Sequence, residues 1–172
     1  MLYVEVLLLK LDFMKRVGVR ILMAGLPDLL TIERITVGKA YDDWRSAVRA
    51  ASSLLANQGL VEGYYAERII TNHQQFGPYM VIAPGIYLAH ARPEDGVLVT
   101  SASLMTLKPE LEFGHDSNDP VWFLFCLAAT DNNKHLLALT ELTELLMDEE
   151  KMQQIRLAVT AAKIWKIIGG NE

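Results

Sequence analysis

One cysteine and four histidines occur in the 172 residues of this chain, with no CxxC, HxxxH, HExxH, GxSxG or GxxxxGK[ST] spacing among them. A lone cysteine cannot form an internal disulfide. Cys126 lies inside the apolar run Val121–Ala129, where a buried thiol in a reducing compartment is expected, and we expect the protein to be cytoplasmic. The missing ligand spacings argue against a metal site built from His73, His90, His115 or His135 with Glu112 or Asp116. The missing nucleophile and phosphate-loop motifs argue against a serine hydrolase or an NTPase. Positive charge is in deficit: the net charge is −5 and no basic stripe stands out, which argues against nucleic acid as a partner. Long apolar runs are lacking too. Met1–Leu9 is apolar, but Lys10, Asp12, Lys15, Arg16 and Arg20 follow it, so nothing approaches the roughly 20 residues that span a bilayer. Those basic residues come after the apolar run and no small-residue cleavage site closes it, so a signal peptide is not expected.

What remains is an ordinary globular composition, 51% hydrophobic and 22% charged, long enough for a single domain with a normal core. Residues 1–24 form an N-terminal extension: an added strand or helix, or sequence upstream of the true start, with Met14 and Met23 as alternative starts. The domain proper covers residues 25–172. Within it, Arg34–Val37 is a short strand. Tyr41-Asp-Asp43 caps a helix that places Trp44, Ala47, Val48, Ala51 and Leu55 on one face and ends at Gly59. Glu62–Thr71 is a second helix. Tyr79–Ala83 and Ile86–Ala89 are strands separated by Pro84-Gly85; Val97–Met105 is another, and Leu111–Phe113 a brief one before the polar turn Gly114–Pro120. Val121–Ala129 has the continuous apolar pattern of a strand covered on both faces. Helices follow from Asn132 or Asn133, after Asp148-Glu-Glu150, and from Thr160 to a C-cap at Gly169. Helices on either side of a set of strands predict an α/β fold, a layered domain with a covered sheet.

Two histidines stand out. His90 ends an apolar strand and is followed by Arg92-Pro93; His135 falls in the first turn of the helix after Asp131-Asn-Asn-Lys. A neutral imidazole is a nucleophile near pH 7 and can hold a phosphoryl group on one nitrogen while a hydrogen bond fixes the other. Such transfer needs donors and positive potential around the phosphoryl oxygens. Arg92 offers a fixed charge, and the free N–H groups beside His135 offer the positive end of a helix. Taken by themselves these residues leave a second reading open, in which His90 is a packed strand-end histidine, Arg92 a solvated loop charge and His135 a polar residue of a first turn.

The chain from about Leu26 to Gly170 resembles the enzyme IIA domain of the sugar phosphotransferase system, in the mannitol/fructose superfamily and closest to its ascorbate-type subfamily. Gln75-Phe-Gly-Pro-Tyr79, Ala83-Pro-Gly85, His90-Ala-Arg-Pro-Glu-Asp-Gly96, Asn118-Asp-Pro120 and Asp131-Asn-Asn-Lys-His135 carry the resemblance. It implies a three-layer α/β/α domain around a small mixed β-sheet. It implies that His90 accepts phosphate from the phosphorylated carrier HPr and passes it to a cysteine of a cognate IIB protein. The membrane permease IIC, absent from this chain, would then move the sugar, with ascorbate as the implied one. His135 matches the second active-site histidine, supporting the phosphoryl group, and no cofactor is implied.

The chain departs from the family pattern in three places. Ala89 stands where the family often has proline before the active histidine. The stretch Thr71-Asn-His-Gln74 lacks the arginine that mannitol- and fructose-type relatives carry there, which makes Arg92 the candidate for phosphate charge. Residues up to about Ala24 have no counterpart. The alternative function is that of a regulatory relative whose phosphorylation state controls transcription or a binding partner.

Overall fold

The computed structural model describes residues 25–169, and the expectations for residues 1–24 lie outside the described residues. The chain opens with a single helical turn, α1 (Leu26–Leu29), and reaches the first strand, β1 (Ile35–Lys39), through a 3-10 turn at Ile32–Arg34. Helices α2 (Trp44–Ala56) and α3 (Tyr65–Phe76) follow, then β2 (Val81–Ala83), β3 (Ile86–His90), β4 (Ser101–Leu111) and β5 (Val121–Ala128). Three helices complete the domain: α4 (Asn132–Met147), α5 (Glu149–Leu157) and α6 (Ala161–Ile167). The strands form one mixed sheet in the order β1-β4-β5-β3-β2, in which β1 runs parallel to β4 and β3 parallel to β5, while β4/β5 and β2/β3 are antiparallel.

Side-chain alternation along the strands divides the core into two apolar layers. Tyr87, Ala89, Leu124, Cys126 and Ala128 pack with α2 and α3 on one face; Ile86, Leu88, Phe123, Phe125 and Leu127 pack with α1, α4, α5 and α6 on the other. All eight residues of β5 are buried, as the unbroken apolar run predicts for a strand covered on both faces. The result is the three-layer α/β/α domain expected from the sequence. Cys126 is fully buried in it, 3.7 Å from the Ser52 hydroxyl, and burial pushes its thiol up to about 12.

Several boundaries differ from the sequence expectation, for identifiable reasons. Helix α3 does not stop at Thr71 but runs to Phe76, because nothing before Gly77, at φ 80°, breaks it. Strand β4 begins at Ser101 rather than Val97: the N–H groups of Leu98 and Val99 both go to the Leu60 carbonyl, which bends residues 97–100 out of the sheet. At its far end β4 continues to Leu111, so the separate short strand expected at Leu111–Phe113 is its end and the start of the turn. That turn is polar, as expected. The Asp119 carboxylate accepts the N–H groups of Phe113, Gly114 and His115, and His115 Nδ1 accepts those of Ser117 and Asn118.

Gly85 joins β2 to β3 at φ 75°, and a Cβ there would stand 2.4 Å from Trp122 Cδ1. Its N–H donates to the Asn118 carbonyl, and its carbonyl accepts from Trp122 and Phe123, so it cannot shift without breaking the start of the β3–β5 ladder. Gly85→Ala should therefore cost about 2 kcal/mol or more, read from the urea midpoint. Gly59→Ala is the reference, since its φ is 68° but nothing lies within 4 Å; only the backbone strain of about 1 kcal/mol applies there.

Candidate active site

Alternation along β3 decides which way His90 faces. Ile86 and Leu88 turn toward the α4 layer, so His90, two residues on, lies on the same side of the sheet as α4. Strand β5 runs parallel to β3, pairs Leu127 with His90, and leads within three residues into the N-terminus of α4. Asp131 caps that helix, its side chain accepting the Lys134 N–H at 2.9 Å, and His135 falls in the first turn with its own N–H bound to the Asp131 carbonyl. The Thr100 hydroxyl pins the entry to the helix: it meets the Thr130 hydroxyl at 3.0 Å and accepts the Thr130 N–H at 3.1 Å. Two parallel strands thus end where a helix begins, an arrangement that leaves a crevice at the carboxyl edge of the sheet.

A cavity of about 270 Å³ opens there, lined by His90, Arg92, His135, Asn132, Asn72, Phe76 and Tyr79 among others. The three residues singled out from the sequence share its wall. The rings of His90 and His135 lie 5.5 Å apart between centroids, inclined at 49°. Tyr79 meets the His90 ring edge-on at 6.0 Å. Arg92 is exposed at the rim, and among the described residues no carboxylate lies within ion-pair distance of its guanidinium.

The hydrogen bond made by His90 fixes its chemistry. Nδ1 lies 3.0 Å from the Leu88 carbonyl, which can only accept, so Nδ1 carries the proton and Nε2 keeps a lone pair. Burial lowers the His90 pKa, opposed by the smaller influence of the Leu88 carbonyl. Burial also lowers that of His135, and the nearness of His90 adds to the effect. Both rings are accordingly neutral near pH 7: one a nucleophile of defined tautomer, the other a neighbour able to donate a hydrogen bond.

The other histidines do different work. His73 is buried beneath Trp44, stacked at 4.1 Å, with Nε2 donating to the Phe113 carbonyl and Nδ1 facing the Tyr87 hydroxyl at 3.1 Å. His115 organises the polar turn. Asn72, Phe76, Tyr79 and Asn132 join the site without having been named as site residues, although the last three lie in motifs that carry the family resemblance. Tyr65, Ile69, Asn72 and Phe76 are spaced four, three and four apart, one helical face running from the core to the cavity. Ending the helix at Thr71 hid the last two of them.

The sequence profile of the phosphoenolpyruvate-dependent sugar phosphotransferase system EIIA 2 family matches residues 28–170. The ascorbate-specific PTS system EIIA component of Shigella dysenteriae is 39% identical over 145 residues, covering 83% of this chain and 94% of the relative. Its Escherichia coli K12 counterpart is 41% identical over 128 residues, covering 74% and 83%. Among solved structures, the mannitol-specific cryptic phosphotransferase enzyme IIA CmtB of E. coli superposes with a TM-score of 0.77 at 30% identity, over 84% of this chain and 98% of that one. The E. coli mannitol enzyme IIA, solved in complex with phosphorylated enzyme IIB, has the same fold, with a TM-score of 0.71 at 24% identity over 83% and 98% of the two chains.

Proposed function

The chain belongs to the EIIA 2 family of the phosphoenolpyruvate-dependent sugar phosphotransferase system, a phosphotransfer component of sugar uptake, and we propose that it is a phosphohistidine relay in which His90 Nε2 accepts the phosphoryl group from phospho-HPr and passes it to a cysteine of a cognate IIB protein. The observation that carries the reading is the single tautomer of His90, with its unprotonated nitrogen in a cavity shared with His135 and Arg92. As the bond from Nε2 to phosphorus forms, the bond from phosphorus to the donor imidazole breaks, and the donor nitrogen leaves with that electron pair. No proton has to leave Nε2 first. The His90 ring then bears Nδ1–H and the phosphoryl group together, and the hydrogen bond to the Leu88 carbonyl stabilises the positive charge that this places on the ring. Arg92 and the N-terminal end of α4 face the spread charge of the transferred oxygens, and His135 donates to one of them. In the second step the IIB thiolate displaces His90 from phosphorus, returning the ring to its starting tautomer.

The mannitol protein of the same fold seen against phosphorylated IIB supports a transfer partner of that kind, and the names of the two enterobacterial relatives support ascorbate as the sugar. The sugar itself is moved by the membrane permease IIC. No described helix is long and apolar enough to cross a membrane, and we propose that this chain acts in the cytoplasm. Intact mass spectrometry after incubation with phosphoenolpyruvate, enzyme I and HPr should show one added acid-labile phosphoryl group. Addition of an ascorbate-type IIB should remove it. Failure to gain mass beside fully phosphorylated HPr overturns the relay; retention in the presence of that IIB overturns ascorbate as the sugar.

A further inference from the structure

The parallel ladder between β3 and β5 has an unusual last rung. Gly85 O accepts from Phe123 N, so by alternation Tyr87, Ala89 and Ala91 aim their N–H groups at β5, and the Leu127 carbonyl is the acceptor due to Ala91. A hydroxyl stands at both groups. Tyr65 reaches up from α3 in the opposite layer, accepts the Ala91 N–H at 3.1 Å and donates to the Leu127 carbonyl at 2.7 Å. Its side chain is completely buried, and no other partner for the hydroxyl occurs among the described residues. The two residues it holds are the one that follows His90 and the one paired with His90 across the ladder.

We propose that the Tyr65 hydroxyl, seated at the last rung between β3 and β5, is a positioning residue that sets the backbone of His90 and so holds its ring in the phosphoryl-accepting geometry. The hydroxyl bridges the strands at the last residue pair of the ladder, His90 with Leu127, at the edge of the sheet where the cavity lies. The same bond fixes the direction in which the chain leaves toward Arg92. Without the hydroxyl, two buried backbone groups lose their partner, and the strands either close onto each other or admit water. Either outcome moves Leu88 and His90 relative to one another and weakens the Nδ1–H bond that selects the tautomer. Tyr65 touches no reacting atom; it acts through His90.

The kinetic part of this inference rests on the relay reading, while the tautomer part does not. Tyr65→Phe keeps the ring and its packing, so the domain should remain folded. Tyr87→Phe is the control: it removes an equally buried hydroxyl, bound to His73 and Met80, from the same layer and the same strand pair but away from the cavity. The maximal rate of phosphoryl acceptance from phospho-HPr should fall about ten-fold in Tyr65→Phe, with KM for HPr unchanged, and stay at the wild-type value in Tyr87→Phe. Nitrogen NMR of the His90 ring should show one Nδ1–H tautomer in the wild type and in Tyr87→Phe, and an exchanging mixture in Tyr65→Phe. A single tautomer in Tyr65→Phe overturns the inference, and so does a loss of rate shared equally with Tyr87→Phe. Should the wild type accept no phosphate at all, the relay reading falls, and the tautomer comparison still decides the role of Tyr65.

Discussion

Replacing His90 by alanine should reduce phosphoryl acceptance from phospho-HPr by at least about a thousand-fold, to below detection in a labelling experiment, because the variant retains every other wall of the cavity but no nucleophile. His90→Gln makes the same point with less disturbance, since its side chain can still occupy the space under Tyr79. Labelling of either variant at a wild-type rate would mean that phosphate goes elsewhere, and His135 would then be the first place to look. The ring environment makes a second demand on His90 that can be checked without any partner protein. Burial disfavours the imidazolium, so the pKa lies below the ordinary value of about 6.5 for an unperturbed histidine. A base whose pKa is depressed stays neutral as pH falls through that ordinary range and takes its proton only below it. NMR titration of the isolated protein should accordingly show His90 less than half protonated at pH 6.5, when an exposed histidine is half charged. A midpoint at or above 6.5 would mean that the ring is solvated and that the nucleophile competes with its own protonation at working pH.

How much of this was legible in the sequence depended on how local each cause is. The layered fold was legible because binary patterning is local. The continuous apolar run of β5, the one-sided face of α2 and the caps at Asp43, Asp131 and Thr160 each announce an element without reference to the rest of the chain. Boundaries failed where tertiary hydrogen bonds override propensity. Leu98 and Val99 look like strand residues but spend their N–H groups on Leu60, a residue 38 and 39 positions away in sequence. His90 and His135 could be picked out as chemistry-bearing types at element ends, but their proximity came only from the family resemblance and not from their spacing, since it depends on β3 and β5 being neighbours and parallel. The tautomer of His90 was out of reach for the same reason in miniature: a bond to the carbonyl two residues back depends on how the chain ends its strand. Tyr65 was visible only as one apolar position of a helix face. Nothing in its neighbourhood along the chain says that its hydroxyl ends in a sheet ladder 26 and 62 residues away.

His135 should matter in a different way from His90. In the resting protein its pKa is lowered, first by burial and then by the neighbouring His90 ring, so it begins neutral. A phosphoryl dianion on His90 Nε2 reverses the second influence, because a negative charge within a few ångströms favours the protonated ring. His135 should therefore titrate at higher pH in the phosphorylated protein than in the free one, gaining the proton it needs to donate to the phosphoryl oxygens as charge shifts between them. With His135→Ala, Arg92 and the first turn of α4 still attract the incoming phosphate, so acceptance persists. What is lost is a donor whose ring stands 5.5 Å from that of His90, and transfer onward to IIB should slow by about a hundred-fold, the size of effect seen when one preorganised donor to a developing charge is removed. The kinetic and electrostatic roles of His135 are separable by experiment. Single-turnover rates of acceptance and of transfer, measured on wild type and His135→Ala, give the kinetic split. NMR titration of His135 with and without phosphate on His90 gives the electrostatic one. Equal rates in both steps together with an unmoved titration would make His135 a structural residue of the first turn. An unmoved titration with slowed transfer would instead assign it a neutral hydrogen bond, given through one ring nitrogen without any change of charge.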